Sequence, residues 1–283
     1  KIIFLTSVTA LLISVIYSLS LSNYYVSESI LTARDTQQAS PMSEYSGLAS
    51  IAGINIPNSG ASSVYKTIEM IQSREFARHL ITFDDVLPSI MAAHSYDHEM
   101  KKLNFDEDIY DEVSQAWTRK SSQGIDSKPS YLEAHKKILD EMLSITYDDK
   151  TGLIVIRIEH ISPVFAKDFL SLIITETNQL NRIKDMESST KALNLLKKEQ
   201  SNTSLLEIKQ SINKLIETQL EIQMLAGVHE DYMLISVDPP FIPEIKSRPS
   251  RSVIVVLTTI FSAMLSIAFL IFRDSYIQIN KKI

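Results

Sequence analysis

An uncharged apolar segment near each end limits what this chain can fold into more than any other feature of its sequence. Between Ile2 and Ser27 no residue carries a charge, and residues 2–21 (IIFLTSVTALLISVIYSLSL) supply 20 mostly apolar positions. As a helix that run is about 30 Å long, the thickness of a bilayer's hydrocarbon core. Residues 253–272 (VIVVLTTIFSAMLSIAFLIF) supply another 20 uncharged positions, opened by Ser252 and closed by Arg273. Tyr24, Tyr25 and Tyr276 flank the two runs, where amphipathic rings settle at a membrane interface. Two spans place both termini on one side. A cleavable signal peptide is the other reading of the first run, but the run is long and no A-x-A-like site follows it. A buried core helix is the other reading of the second, against which stand its length and its lack of a polar face. Lys1, Arg273, Lys281 and Lys282 favour cytoplasmic termini, whereas Lys246, Arg248 and Arg251 pull the other way, so charge leaves the orientation open. Because the chain begins at Lys1, an amino-terminal piece is expected to be missing.

The roughly 230 residues between the runs carry 24 basic and 33 acidic side chains, a net charge of −9 and the composition of a soluble domain. Several chemistries drop out at once. With no cysteine there is no disulfide, thiolate nucleophile or cysteine-ligated metal. The six glycines form neither GxGxxG nor GxxxxGK[ST], so no phosphate-cradling loop is present, and no G-x-S-x-G occurs. No basic run interleaved with aromatics points to nucleic acid. His94 and His98 stand at i,i+4 with Asp97 and Glu99 alongside, a spacing that holds a divalent metal only on a helix and with a third ligand. A solvated surface explains them better. The acidic pairs Asp84-Asp85, Asp106-Glu107-Asp108 and Asp148-Asp149 sit in polar or turn contexts. Accordingly no catalytic, cofactor-binding or metal-binding residue is assigned, and no enzyme activity is expected.

Periodicity gives the central region an α+β character. An extended run over 25–32 is followed by a polar loop (37–46) and the small-residue segment GLASIAGINIP (47–57). Residues 64–81 read as one helix on the spacing of Ile68, Ile71, Phe76 and Leu80. Residues 104–129 look irregular, and 130–143 read as a helix with Leu132, Ile138, Leu139 and Met142 on its apolar side. The turn chemistry of Asp148, Asp149, Lys150 and Gly152 before β-branched 153–159 predicts a hairpin. A further strand is expected over 232–238.

The least ordinary stretch is 162–227, which has one proline, Pro163, and no glycine until Gly227. Ser162 suits an N-cap and Pro163 the first helical turn. Phe165, Phe169, Leu172, Ile173, Leu180, Ile183 and Met186 recur mostly at three- and four-residue steps. The pattern weakens at Gln200-Ser201-Asn202-Thr203 and restarts at Ser204-Leu205-Leu206-Glu207 as a capping box. Beyond it Leu205, Ile208, Ile212, Leu215 and Ile222 keep a heptad-like, coiled-coil stripe interrupted by Gln219. Two arms, 163–198 and 204–225, are expected, about 54 Å and 33 Å long at 1.5 Å per residue. One continuous helix is the alternative. Either form needs its stripe covered, and neighbouring copies are the natural cover, so a homo-oligomer is expected. Pro239, Pro240, Pro243 and Pro249 then pack into 11 residues before the second apolar run. They exclude helix and predict a stiff, extended membrane-proximal strut, read either as a plain linker or as a transmitting, partner-contacting element.

Taken in order, these segments resemble the Wzz-type polysaccharide co-polymerases, the chain-length determinant proteins of bacterial inner membranes. The resemblance covers nearly the whole chain. It lies in a first span followed by Tyr24-Tyr25, in IQSREFARHLI (71–81), DDKTGLIVIRIEHISPVFAKDF (148–169) and LIETQLEIQMLA (215–226), and in DPPFIPEIKSRPSR (238–251) leading to the second span. Pro240 departs from the small residue many members carry there. The resemblance implies cytoplasmic termini, a periplasmic base and a ring-like homo-oligomer. It also implies a non-enzymatic role in setting the chain length of a surface polysaccharide (O-antigen of lipopolysaccharide, capsule or exopolysaccharide), together with a membrane polymerase that extends lipid-linked glycan. No cofactor is implied. Only the 11 residues 273–283 follow Phe272, so no fused kinase is expected. An adaptor of polysaccharide export, working with a separate kinase or an outer-membrane channel, is the closest rival, although such adaptors usually lack a second span. A sensory receptor would need a signalling module that this tail does not hold, and a glycan-acting enzyme would need chemistry not found here.

The expected layout is α+β: two transmembrane helices flanking an α/β membrane-proximal base with a long helical hairpin or extended helix. Its parts are a first transmembrane helix (1–22), the first part of a periplasmic α/β base (23–161) and a long helical projection (162–227). After these come a return strand and proline-rich strut (228–251), a second transmembrane helix (252–273) and a short cytoplasmic tail (274–283).

Overall fold

The computed structural model describes residues 2–34, 59–120, 126–228 and 231–280; segment 47–57 and the polar loop 37–46 lie outside them, as does the side chain of Tyr276. In chain order the elements are α1 (Ile2–Ser20), β1 (Tyr25–Ala33), α2 (Ser59–Ile71), α3 (Arg74–Leu80), α4 (Val86–Met91), β2 (Ala93–Asp97) and β3 (Lys102–Phe105). There follow β4 (Tyr110–Asp111), β5 (Ala116–Trp117) and α5 (Tyr131–Lys137), which continues as a π-helical turn over Ile138–Met142. The remainder is β6 (Leu143–Asp148), β7 (Leu153–His160), α6 (Pro163–Asn202), α7 (Leu206–Val228), β8 (Leu234–Asp238) and α8 (Arg251–Asn280). Two compact units contain them: Lys1–Val26 with Pro243–Ile283, and Ser27–Ile242.

The larger unit is built on a four-stranded sheet in the order β6-β7-β1-β8. The antiparallel β6–β7 hairpin forms where turn chemistry placed it. The Lys150 amide and the Thr151 hydroxyl each donate to the Asp148 carboxylate at 2.9 Å, and the Gly152 amide donates to the Asp148 carbonyl at 2.8 Å. Gly152 turns the chain at φ 71°, a left-handed conformation open to a residue without Cβ. Those donated hydrogen bonds hold the Asp148 carboxyl below its ordinary pKa. Strict alternation along β7 buries Ile154, Ile156 and Ile158 on one face, where they join Ala166, Phe169, Leu170 and Ile173 of α6 in one core. Each Ile, Leu and Phe among them contributes roughly 1.5–3 kcal/mol by leaving water. Arg157 and Glu28 pair across β7 and β1.

The two expected helices around this core take a different form. The single helix read over 64–81 is broken into α2 and α3, because the Ser73 hydroxyl accepts the Phe76 amide at 3.1 Å and caps a new helix rather than continuing the old one. The helix read over 130–143 starts with a capping box between Ser130 and Glu133. Arg119 grips the Glu133 carboxylate with two nitrogens, at 2.8 and 3.3 Å, and thereby lowers the Glu133 pKa. Leu132, expected on the apolar side, is exposed, while Ala134 is fully buried and the π turn swings Ile138 and Met142 into the core. The stretch read as irregular holds short antiparallel pairings, β2 with β3 and β4 with β5.

The projection is a hairpin, not one continuous helix. α6 stops at Asn202 with Thr203 in an extended conformation, and α7 opens at Leu206. The Leu205 carbonyl accepts the Lys209 amide, so Leu205 stands at the N-cap and α7 starts one residue later than the capping-box reading of Ser204 implied. In the smaller unit α1 packs on α8, and the hydroxyls of Thr6 and Ser266 meet at 2.7 Å. Among the described residues one segment, Arg251–Phe269, is long and apolar enough to cross a membrane, and Val8–Ser20 is a shorter apolar helix. α8 runs on to Asn280, past the expected end at 273.

The corner between β7 and α6 is pinned by His160. Its Nε2 donates to the Ser89 carbonyl at 2.9 Å and its Nδ1 accepts the Ser162 amide at 3.1 Å, which requires a neutral ring. Burial pushes its pKa down to about 4, below the ordinary 6.5. A histidine depressed in the folded state contributes stability that is present above its unfolded pKa and lost as pH falls from 6.5 towards 4. Wild type should therefore lose about 2 kcal/mol relative to His160→Gln between pH 7 and pH 5, measured by urea unfolding. A constant difference between the two proteins across that range would refute the neutral, buried ring.

Candidate functional site

The candidate site comprises the helical projection, its root in the base, and the proline-rich segment before α8. α6 begins under the sheet, with the Ser162 hydroxyl accepting the Phe165 amide at 3.1 Å and Pro163 in the first turn, as the sequence implied. Buried positions are frequent through Asn178; beyond it only Ser189 and Leu193 are buried on this helix. The arms run antiparallel, since Gln223 donates to the Thr190 hydroxyl at 2.9 Å and Gln200 pairs with Asn213.

The five-residue stripe on α7 does not act as one seam. Ile212 is 8% exposed and sits inside the hairpin, whereas Leu205 is 63%, Ile208 45% and Leu215 44% exposed, and Ile222 is half-buried. At 3.6 residues per turn Ile208, Leu215 and Ile222 fall together on one flank of Ile212. Leu206, Leu220 and Met224 fall on the opposite flank and are exposed as well. The hairpin thus presents apolar side chains on two flanks at once.

The root is held by a residue that periodicity does not single out. Asn178 is 4% exposed; its Oδ1 accepts the amides of Met233 (2.9 Å) and Leu234 (2.7 Å), and its Nδ2 donates to the Leu234 carbonyl at 2.9 Å. One side chain therefore receives the chain as it returns from α7 into β8. Next to it the Tyr232 hydroxyl donates to Asp185 at 2.8 Å, and burial, reinforced by that carboxylate, raises the Tyr232 pKa. A polar residue on the apolar face of a helix is the signal that marks Asn178, and only in retrospect.

After β8, residues 239–250 are free of helix, as four prolines require. Pro239 is exposed, Pro240 and Pro249 are half-buried, and Pro243 is buried. Within the larger unit, buried Ser29 and Ser27 donate at 2.7 Å to the carbonyls of Asp238 and Phe241. Within the smaller unit, Tyr24 exchanges backbone hydrogen bonds with Ser247 and Arg248 at 2.8 and 2.9 Å, and the Arg248 guanidinium lies 4.5 Å from the Tyr24 ring centroid. Arg251 donates to the Asn23 side chain at 3.2 Å and to the Leu21 carbonyl just beyond α1, where a cation suits the negative helix end. Lys246 reaches the same Asn23 oxygen at 3.4 Å.

His94 and His98 lie on and just after strand β2, both exposed, so the helical premise of an i,i+4 metal site does not hold. Asp106 accepts the Asp108 amide at 3.0 Å in a turn, and Asp84 and Asp85 open onto a groove taken up below.

No protein-family model matches the chain, and no curated protein sequence matches it. Among solved structures it is similar to a full-length bacterial polysaccharide co-polymerase, at 11% identity and TM-score 0.41 over 98% of this chain and 94% of that one. It is also similar to a fragment of WzzB, polysaccharide co-polymerase from Salmonella Typhimurium, at 13% identity and TM-score 0.32 over 80% of this chain and 100% of that one.

Asn178→Ala leaves three backbone groups of Met233 and Leu234 buried without partners, each costing roughly 1–3 kcal/mol where water does not enter. We expect a loss of about 3 kcal/mol by urea unfolding and faster hydrogen exchange at those two amides. Exchange at the wild-type rate would rule out Asn178 as the anchor of the return strand.

Proposed function

We propose that this chain is a non-catalytic regulator of surface polysaccharide chain length, anchored by both apolar helices in a bacterial inner membrane with its central domain in the periplasm. In this reading it works as a homo-oligomer beside an integral membrane polymerase that extends lipid-linked glycan. The observation that carries the proposal is the hairpin: two long arms, rooted in the α/β base, with apolar residues exposed on both flanks. The order of motifs along the sequence, from Tyr24-Tyr25 to the strut before α8, supports it independently.

Apolar flanks on opposite sides favour one neighbour on each side. Contacts of that head-to-tail kind close into a ring when the rotation between copies allows. In the membrane unit Ile13, Ile16 and Leu19 of α1 and Val256, Leu257 and Phe261 of α8 are exposed, the side chains expected to face lipid. The α1–α8 contact uses small hydroxyl residues, Thr6, Ser262 and Ser266, which suit close helix packing in a bilayer. A protein without chemistry of its own changes a length distribution by shifting the balance of extension and release at the polymerase. A differential interaction of 1.4 kcal/mol moves that balance tenfold.

Deleting the gene should leave polymer synthesis intact while broadening its length distribution on gels of surface polysaccharide; loss of all polymer would argue for a synthetic role. The double change Ile208→Asp with Leu215→Asp should lower the oligomer mass in nanodiscs and shift modal length, because a charge buried between copies is costly. Ile212→Asp should act differently, loosening the hairpin itself. Unchanged mass together with an unchanged polymer profile in the double variant would defeat the flank assignment.

A further inference from the structure

A groove of about 810 Å³ opens in the Ser27–Ile242 unit, where the α3–α4 turn, the β4–β5 hairpin and the start of α5 come together. Its lining includes Trp117, Tyr131, Asp84, Asp85 and Gln115, none of which contributes to the projection or the strut. Its volume is that of a small-molecule or oligomer-segment site, typically 300–1,000 Å³.

The aromatic part is braced for contact. Trp117 is half-exposed, and its ring lies 4.9 Å from that of buried Tyr110, which in turn packs edge-on against Phe105. Exposed Tyr131 carries the Arg78 guanidinium 5.9 Å from its ring centroid. Asp84, Asp85 and Gln115, all exposed, line the same groove and together offer carboxylate and amide acceptors and an amide donor. Backbone strain gathers at the same place. Among the described residues three non-glycine positions have positive φ, and two of them, Asp85 (63°) and Gln115 (52°), line this groove. Such conformations cost on the order of 1–3 kcal/mol and gather where a ligand is held.

Flat rings beside acceptor and donor side chains match one ligand chemistry above others. A sugar ring offers an apolar C–H face to an aromatic platform and a rim of hydroxyls that both donate and accept. Arg78 and Lys128 also line the groove, but Arg78 is paired with Glu75 and lies over Tyr131, and a phosphorylated ligand would still meet the carboxylates of Asp84 and Asp85; an apolar peptide would leave the polar lining without partners. We propose that this groove binds a short stretch of the polysaccharide itself, with a sugar ring stacked on Trp117 and its hydroxyls hydrogen-bonded to Asp84, Asp85 and Gln115. The identity of the polymer rests on the function proposed above; the class of ligand rests on the groove.

Trp117 is the sole tryptophan of the chain, so its emission reports on this groove alone. The full chain in nanodiscs is titrated with short glycan oligomers released by mild acid from the surface polysaccharide of the producing bacterium. A saturable change in Trp117 emission is expected, with the apparent affinity weakened about tenfold in Asp84→Ala and in Gln115→Gly, the latter chosen because glycine tolerates the positive φ. Absence of a saturable change, or identical curves for wild type and both variants, overturns the proposal. Emission that responds to protein concentration but not to glycan also overturns it, and assigns the groove to a second copy of the chain. A deletion strain with a broadened polymer distribution beside a groove indifferent to glycan sinks this inference alone, whereas an unaltered distribution sinks the function on which it builds.

Discussion

Burial of the first half of α6 against β7 is the interaction on which the rest depends. Ala166, Phe169, Leu170 and Ile173 pack with Ile154, Ile156 and Ile158 in the principal core, and the same helix then continues beyond Asn178 as one arm of the projection. Because a helix is stiff over this length, the direction of the arm is set by how its root is packed. His160 and Ser162 fix the entry to α6, and Asn178 takes hold of the returning chain at β8. α6 runs unbroken through the junction between base and projection.

The same arrangement separates two kinds of apolar surface. Residues within the base and the hairpin seam, such as Ile173, Leu193 and Ile212, are covered by the chain itself. Residues on the flanks of α7, such as Ile208, Leu215 and Met224, are not, and neither are Ile16 or Phe261 in the smaller unit. Under the proposed function the exposed residues on the α7 flanks would meet protein and those of α1 and α8 would meet lipid. Ile212 and Ile208, four residues apart on one helix, thus sit in different environments, one enclosed and the other open.

Much of this was legible in the sequence, and the misreadings have definite causes. The β6–β7 hairpin was readable because Asp148, Lys150 and Gly152 carry turn chemistry that acts locally, and Ser162-Pro163 was readable as a helix start for the same reason. The break at Ser73 was missed because a serine reads equally as helix interior or as N-cap, and only the packing of α3 decides between them. Leu132 was misplaced because it lies about 120° round the helix from Ile138, and only packing decides that the Ala134–Ile138 face turns inward. The groove went unnoticed because Asp84, Gln115, Trp117 and Tyr131 are scattered over nearly fifty positions with no spacing in common.

What the sequence determined by itself were the features that depend on neighbouring residues: two apolar helices, strand alternation, caps, a hairpin turn, and a strut that four prolines keep from helix. What tertiary structure alone decided was which apolar residues face inward and which polar ones become buried partners. Ile212 and Leu215 look alike along the chain, yet one is enclosed and the other open, because enclosure depends on where the second arm lies. Asn178 is one more polar residue in a long helix until β8 arrives to place three backbone groups within its reach. Local rules carry no information about partners more than fifty residues away, and that distance is where this fold makes its remaining choices.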